Sequence, residues 1–303
     1  MDTSKKVVLI TGANSGLGFS ISKALAKKDL QIIMACRNIE KAERARKEIL
    51  REVSDADLNV LQLDVSEISS IREFVHEFSS TVGAVDILIN NAGIVASELM
   101  RNNDGHELQL ATHFFGPYSL TGMMLPFFRK DAQTRIVNVG SLAHRMGKFS
   151  FEDPNWNQAP FNNWKAYAKS KIALVAFTME LNRRLQASNS STIALGAHPG
   201  FANTEGGNKY GATTPKTALS KWFQEQMKAW VVPACDQASE PILHAACSAE
   251  VKGGEYFGPS GLFEIKGPTG KAKLHPQANS VEFGKRLWSM SESITGIQYL
   301  SSF

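Results

Sequence analysis

A tyrosine and a lysine four residues apart, Tyr167 and Lys171, share one face of a helical stretch and are the pair in this sequence best suited to moving a proton. Reducing a carbonyl by hydride transfer needs a proton for the developing alkoxide, and the reverse reaction needs a base. A tyrosine with its ordinary pKa near 10 is too weak a base at neutral pH. Bringing it to about 7 takes roughly 4 kcal/mol of preferential phenolate stabilisation, and a cation held at Lys171 is one source of it. Ser141 lies 26 positions before Tyr167 and is placed to orient a reacting oxygen. Taken alone, the pair is also readable as an exposed aromatic beside a solvated lysine, so its meaning depends on what surrounds it.

A second constellation lies at the other end of the chain. Thr11-Gly12-Ala13-Asn14-Ser15-Gly16-Leu17-Gly18 ends an apolar run and opens a helical one. Glycines there let the backbone turn tightly and approach a pyrophosphate, and the free N–H groups and dipole of the helix start favour an anion. The spacing is TGxxxGxG, not the commoner GxGxxG.

These residues need a scaffold. Lys6–Thr11, Gln31–Cys36, Asn59–Asp64, Val85–Asn90, Arg135–Val139 and Thr192–His198 read as strands buried on both faces, and a short run at Gly254–Gly258 finishes the sheet. Helical patterns alternate with them at Leu17–Lys28, Ile39–Val53, Ile68–Ser80, Gly105–Phe128, Trp164–Gln186 and Cys235–Ser248, and a last one covers Val281–Ser291. The alternation predicts an α/β fold: a Rossmann-type, doubly wound, mainly parallel seven-stranded sheet with helices on both faces. The 303 residues are read as one domain, with irregular stretches at 142–166, 200–234 and 261–303.

Composition narrows the setting. With 43% hydrophobic and 20% charged residues and a net charge of +4, the chain has the make-up of a soluble globular protein and no basic patch for nucleic acid. No run of eighteen apolar residues spans a membrane, and Met1–Lys6 leads into a strand and not a signal segment. Three cysteines (Cys36, Cys235, Cys247) without CxxC spacing fit a reducing cytoplasm, where the protein is expected, without a membrane anchor. No metal site is read.

Taken together, the glycine-rich turn, Asn90-Asn91-Ala92-Gly93, Ser141, Tyr167-Ala-Lys-Ser-Lys171, Asp64 and His198-Pro199-Gly200 with Thr204 resemble the classical short-chain dehydrogenase/reductase family over roughly residues 6–260. The resemblance implies a nicotinamide dinucleotide held by Gly12, Asn14, Ser15, Gly16, Leu17, Gly18, Arg37, Asn38, Asp64, Val65, Asn91, Ala92, Gly93, Tyr167, Lys171, Pro199, Gly200 and Thr204. It further implies that Ser141, Tyr167 and Lys171 are catalytic, with Lys171 also bonding the nicotinamide ribose. Asp64 is read as an adenine contact or as a cap before Ser66. Asn91-Ala92-Gly93 shapes the strand end beside the cofactor.

One position departs from the pattern. The family's fourth catalytic residue, an asparagine supporting a water that links the lysine to solvent, is replaced by His113. A histidine could hold that water, stand in for it, or simply pack. The second strand ends in Cys36-Arg37-Asn38 with no acid to hold a ribose 2′-hydroxyl, so NADP(H) is expected over NAD(H), with Arg37 taking the 2′-phosphate.

The long 142–166 insert, with His144, Met146, Phe149, Trp156, Phe161 and Trp164, resembles the retinol dehydrogenase–like branch. It and a lid at 200–234 are expected to wall a pocket for an apolar alcohol, aldehyde or ketone. Helices 105–128 and 164–186 could form a homodimer or homotetramer interface, unless the insert blocks it. The rival reading is a catalytically idle NADP(H)-binding sensor or scaffold.

Overall fold

The computed structural model describes residues 5–200 and 235–300. The expected lid at 200–234, apart from Gly200, and the cofactor contact expected at Thr204 lie outside the described residues. The strands are β1 (Lys6–Thr11), β2 (Leu30–Cys36), β3 (Asp57–Gln62), β4 (Ile87–Asn90), β5 (Thr134–Val139), β6 (Thr192–Ala197), β7 (Tyr256–Pro259) and β8 (Thr269–Lys271). They form one sheet in the order β3-β2-β1-β4-β5-β6-β7-β8. Every neighbouring pair is parallel except β7 and β8. Among the described residues the sheet therefore has eight strands where seven were expected. Thr269-Gly270-Lys271 has neither the length nor the apolar residues that mark a strand in sequence. It becomes one by pairing with Phe257–Pro259 at the sheet edge.

The central strands are buried on both faces: Val8, Leu9, Ile10, Ile32, Ile33, Leu88, Ile89, Ile136 and Val137 have almost no exposed surface. Helices α1 (Gly16–Ala26), α2 (Ile39–Glu52) and α7 (Cys235–Cys247) cover one face. On the other lie α3 (Ile68–Thr81), α4 (Leu108–Leu110), α5 (Gly116–Met124), α6 (Asn163–Ala187) and α9 (Val281–Thr295), with a short α8 (Pro276–Asn279) beside them.

The expected single helix at 105–128 is interrupted. Between α4 and α5 lies one wide π-type turn, Ala111–Phe115, closed by the Gly116 N–H on the Ala111 carbonyl. One local fact and one tertiary contact favour the break: Pro117 has no N–H to donate, and a Cβ on Gly116 would stand 2.0 Å from the Val65 carbonyl oxygen. The turn carries His113.

The apolar face of α5 and α6 proposed as a subunit interface is filled by the chain itself. Tyr118, Phe177, Trp288 and Tyr299 pack ring on ring, with centroids 4.7–5.9 Å apart. The Tyr118 hydroxyl donates to the Ile297 carbonyl, and the Tyr299 hydroxyl donates to the Tyr118 carbonyl. The C-terminal extension, and not the 142–166 insert, occupies that face. Among the described residues no helix is long and apolar enough to cross a membrane, and no cluster of residues could hold a metal ion.

Candidate active site

Parallel strands send their carboxyl ends to one edge of the sheet, and the expected residues collect there. After β1 the chain turns at Gly12, with φ +65, and at Gly16, with φ +52, both left-handed values that glycine adopts without strain. A Cβ on Gly18 would lie 2.2 Å from the Gly12 carbonyl oxygen, so the turn closes on its own helix only with glycine there. Ser15 caps α1 without a side-chain hydrogen bond, and the first turn carries no acid. The amides of Gly16, Leu17 and Gly18 thus face outward with the positive helix end, a donor set that suits a pyrophosphate.

Asn91 braces this turn: its amide donates to the carbonyls of Thr11 (2.9 Å) and Gly12 (3.3 Å). The Thr11 hydroxyl accepts from the N–H groups of Asn91 and Ala92, both at 3.0 Å. Ala92 and Gly93 are small for reasons internal to the protein. Ala92 lies against Gly12, and a Cβ on Gly93 would sit 3.2 Å from the His113 Nε2.

At the end of β2, the Arg37 side chain is 70% exposed and stands 3.6 Å from Asp64. Asp64 Oδ1 accepts from the N–H and hydroxyl of Ser66, a local turn and not a helix cap, since α3 begins after Glu67. Asn38 caps α2 by accepting from the Lys41 N–H at 2.8 Å, so its side chain is committed to the helix. Val65 is buried, and its carbonyl faces Gly116.

Ser141, Tyr167 and Lys171 converge at the end of β5. Ser141 caps a 3₁₀ turn, Leu142–Met146, its hydroxyl accepting from the Ala143 N–H at 3.2 Å. The Tyr167 phenol lies near enough to the same hydroxyl for Ser141 to favour its ionised form. Lys171 is buried, and its ammonium donates to the Val139 carbonyl at 3.0 Å and lies 5.8 Å from the Tyr167 ring centre. Burial brings its pKa down from 10.5 to about 8. Burial also raises the Tyr167 phenol above its usual range, with the Ser141 hydroxyl opposing. The tyrosine therefore carries its proton at neutral pH, the opposite of the lowering a base requires.

His113 is buried, and both ring nitrogens are engaged. Nε2 accepts from the Ile94 N–H at 2.9 Å, so the proton resides on Nδ1, which donates to the Ser170 hydroxyl at 2.7 Å. Ser170 in turn donates to the Tyr167 carbonyl at 2.8 Å. With both ring nitrogens engaged, none is left to hold a water, and His113 braces the loop after β4 against α6. Burial and the Lys171 charge hold the imidazole well below its ordinary pKa, hence neutral.

The insert aromatics mostly do not face the site. Lys169 donates to the Asp153 carbonyl at 2.6 Å, with Phe149 and Trp156 rings 5.7 and 5.2 Å from its ammonium. Phe149 packs on Phe151 and Phe283, and Trp156 on Phe161. Trp164, half-exposed and edge-on to Tyr167 at 6.2 Å, remains beside the reacting groups. Contacts without a sequence signal also act here: those of the Thr11 hydroxyl, and a buried chain from Asn90 to Asn138 (2.8 Å) and from Asn138 to Thr178 (2.9 Å) that locks β4, β5 and α6. Only the adjacency of strands reveals them.

A strand-order reversal beside a glycine-rich turn, with a serine, tyrosine and lysine at the same edge, defines a dinucleotide-binding α/β protein of the oxidoreductase type. A short chain dehydrogenase profile matches residues 6–153. Retinol dehydrogenase 13 of Homo sapiens is 37% identical over 299 residues, 97% of this chain and 85% of that protein. A crystal structure of an uncharacterised protein from Mycobacterium paratuberculosis superimposes with a TM-score of 0.78 at 33% identity, covering 97% of this chain and 94% of that one. L-sorbose reductase from Gluconobacter frateurii shares the fold with a TM-score of 0.67 at 19% identity, over 84% of this chain and 94% of that one. The chain belongs to the short-chain dehydrogenase/reductase family, in its retinol dehydrogenase branch.

Proposed function

We propose that this protein interconverts an apolar alcohol and its aldehyde or ketone, with NADP(H) as the preferred cofactor and Tyr167 as the general acid/base. The observation that carries the reading is the convergence of Ser141, Tyr167 and buried Lys171 at the sheet edge that the glycine-rich turn also borders. The nicotinamide supplies or accepts the hydride when bound. Tyr167, protonated at neutral pH, donates from its hydroxyl to the oxygen of a carbonyl as charge develops there. Ser141 fixes that oxygen by hydrogen bonding. Lys171, charged below about pH 8 and without a carboxylate partner among the described residues, favours the phenolate that remains. This protonation state suits carbonyl reduction at neutral pH.

Support for NADP(H) comes from Arg37. Its guanidinium is mostly exposed, and its contact with Asp64 is a long surface ion pair of the kind worth about 0–1 kcal/mol, so a 2′-phosphate competes for it readily. The name retinol dehydrogenase among the relatives makes retinal and retinol the first apolar substrates to try.

The test follows NADPH absorbance over a panel of retinal and simpler apolar aldehydes and ketones. Turnover is expected, and Tyr167→Phe should lower it by about 10²–10⁴-fold while NADPH binding persists. NADPH binding with no turnover on any member of the panel would overturn the reading in favour of an idle sensor.

A further inference from the structure

Beside the Ser141 turn lies a cluster of charged and aromatic side chains that the proposed chemistry does not use. Its centre is Glu264, in the loop between β7 and β8. Glu264 and the residue before it, Phe263, both have left-handed backbones, with φ +58 and +55. Two successive non-glycine residues in that region cost about 1–2 kcal/mol each. The loop also turns its apolar residues outward: Leu262 and Phe263 are 79% and 75% exposed. Apolar burial therefore does not pin it down.

Backbone bonds such as Ser260 N–H to the Pro268 carbonyl (2.7 Å) close the loop, and its side-chain anchor is the Glu264 carboxylate, only 14% exposed. Oε2 accepts from Arg145 Nη2 at 2.5 Å and from His198 Nε2 at 3.1 Å, and Oε1 accepts from the Lys273 N–H at 3.2 Å. The His198 proton is on Nε2, because Nδ1 accepts from the Gly200 N–H at 3.1 Å. Burial works against it, but hydrogen bonds from Arg145, the Lys273 N–H and His198, with the Arg145 charge, hold Glu264 below the usual carboxylate range, so it is charged at neutral pH.

Each donor belongs to a segment of the candidate site. Arg145 lies in the 3₁₀ turn that Ser141 caps, and its neighbour His144 donates from Nδ1 to the Ser141 carbonyl at 2.6 Å. His198 begins the turn through Pro199 and Gly200. Gly200 has φ +74, and a Cβ there would stand 2.2 Å from the Ile265 carbonyl oxygen, so that turn seats directly on the Glu264 loop. The Tyr256 ring fills the space between the two imidazoles, with centroids 5.2 Å from His144 and 5.6 Å from His198. An exposed ion pair would justify neither the strained backbone nor the burial.

We propose that Glu264 is a positioning residue for the reaction of Tyr167, a latch that fixes the Ser141 turn through Arg145 and the 198–200 turn through His198. The catalytic consequence rests on the function proposed above; the mechanical one does not.

The experiment pairs a kinetic cycle with amide exchange. Glu264→Ala and Glu264→Gln are made in the native and Ser141→Ala backgrounds, and kcat is measured with NADPH saturating. Glu264→Ala is expected to lower kcat by about tenfold in the native background but by less than about twofold when Ser141 is already gone, because a residue acting through Ser141 has nothing left to position. Glu264→Gln keeps one acceptor oxygen, for either the Arg145 and His198 side or the Lys273 N–H, and loses the charge facing Arg145, so it falls between. It also carries the cycle if the alanine variant does not fold. An equal loss in both backgrounds, or no loss in the native one, overturns the latch. Hydrogen exchange of residues 141–147, measured without substrate on Glu264→Gln, should be faster than in the native protein, and unchanged exchange also overturns it. That second readout stands even if the native protein turns over no carbonyl, which would refute the proposed function alone.

Discussion

Lys171 is charged and buried, and removing that charge tests the electrostatics of the site without any substrate. Its pKa of about 8, against an ordinary 10.5, means the folded protein disfavours the ammonium by about 3 kcal/mol, at ~1.4 kcal/mol per pH unit. The sign follows from proton counts. Below pH 8 the lysine is charged in both states, and the folded state bears the whole cost. Between pH 8 and 10.5 the unfolded chain binds more protons than the folded one, so stability rises with pH until the cost is gone. Lys171→Met removes the group and its pH dependence together. It also leaves the Val139 carbonyl without its 3.0 Å ammonium donor, a loss of about 1 kcal/mol. The variant should therefore be more stable than the native protein by about 2 kcal/mol at pH 7, and this lead should shrink by about 3 kcal/mol between pH 8 and 10.5. Urea unfolding at 25 °C, repeated across pH for both proteins, measures the difference directly. Parallel stability curves would refute the buried-cation argument and, with it, the electrostatic role given to Lys171.

Other perturbations address single contacts. Arg37→Ala should raise the KM for NADPH by about ten- to a hundredfold, the worth of a charge-assisted hydrogen bond, and barely alter that for NADH; equal effects on both would remove the basis for NADP(H). His113→Asn should leave the pH–rate profile unmoved, since the imidazole stays neutral, yet destabilise the fold by about 1–3 kcal/mol because asparagine is too short to reach both the Ile94 N–H and the Ser170 hydroxyl. A profile that shifts would restore the relay. With the α5–α6 face covered by Trp288 and Tyr299, light scattering should report a monomer, and Trp288→Ala should cost about 3–5 kcal/mol. A dimer that persists in that variant would place the interface elsewhere.

Much of the scaffold was legible from local pattern. The buried parallel strands announce themselves as continuous apolar runs, because helices cover both faces and no residue of those strands needs to meet water. The glycine-rich turn and the Tyr167–Lys171 spacing were legible for the same kind of reason: φ above zero and one helical turn are local constraints that residue type records directly. Strand β8 was not, since its three residues acquire strand geometry from their partner alone. Nor was the π-type turn, which depends on Gly116 meeting the Val65 carbonyl across the fold.

The roles of individual site residues divide along the same line. Sequence alone determined which side chains stand at the carboxyl edge of the sheet, because strand ends and helix starts are set by neighbours in the chain. Tertiary structure decided what those side chains do. It committed both His113 nitrogens to protein partners, turned most insert aromatics toward Lys169 and the C-terminal helix, and filled the α5–α6 face with Trp288. It also joined Glu264 to Arg145 and His198 across gaps of 119 and 66 residues. Hydrogen-bond valence and packing space are shared among residues far apart in the chain, and only the folded chain shows how each is divided.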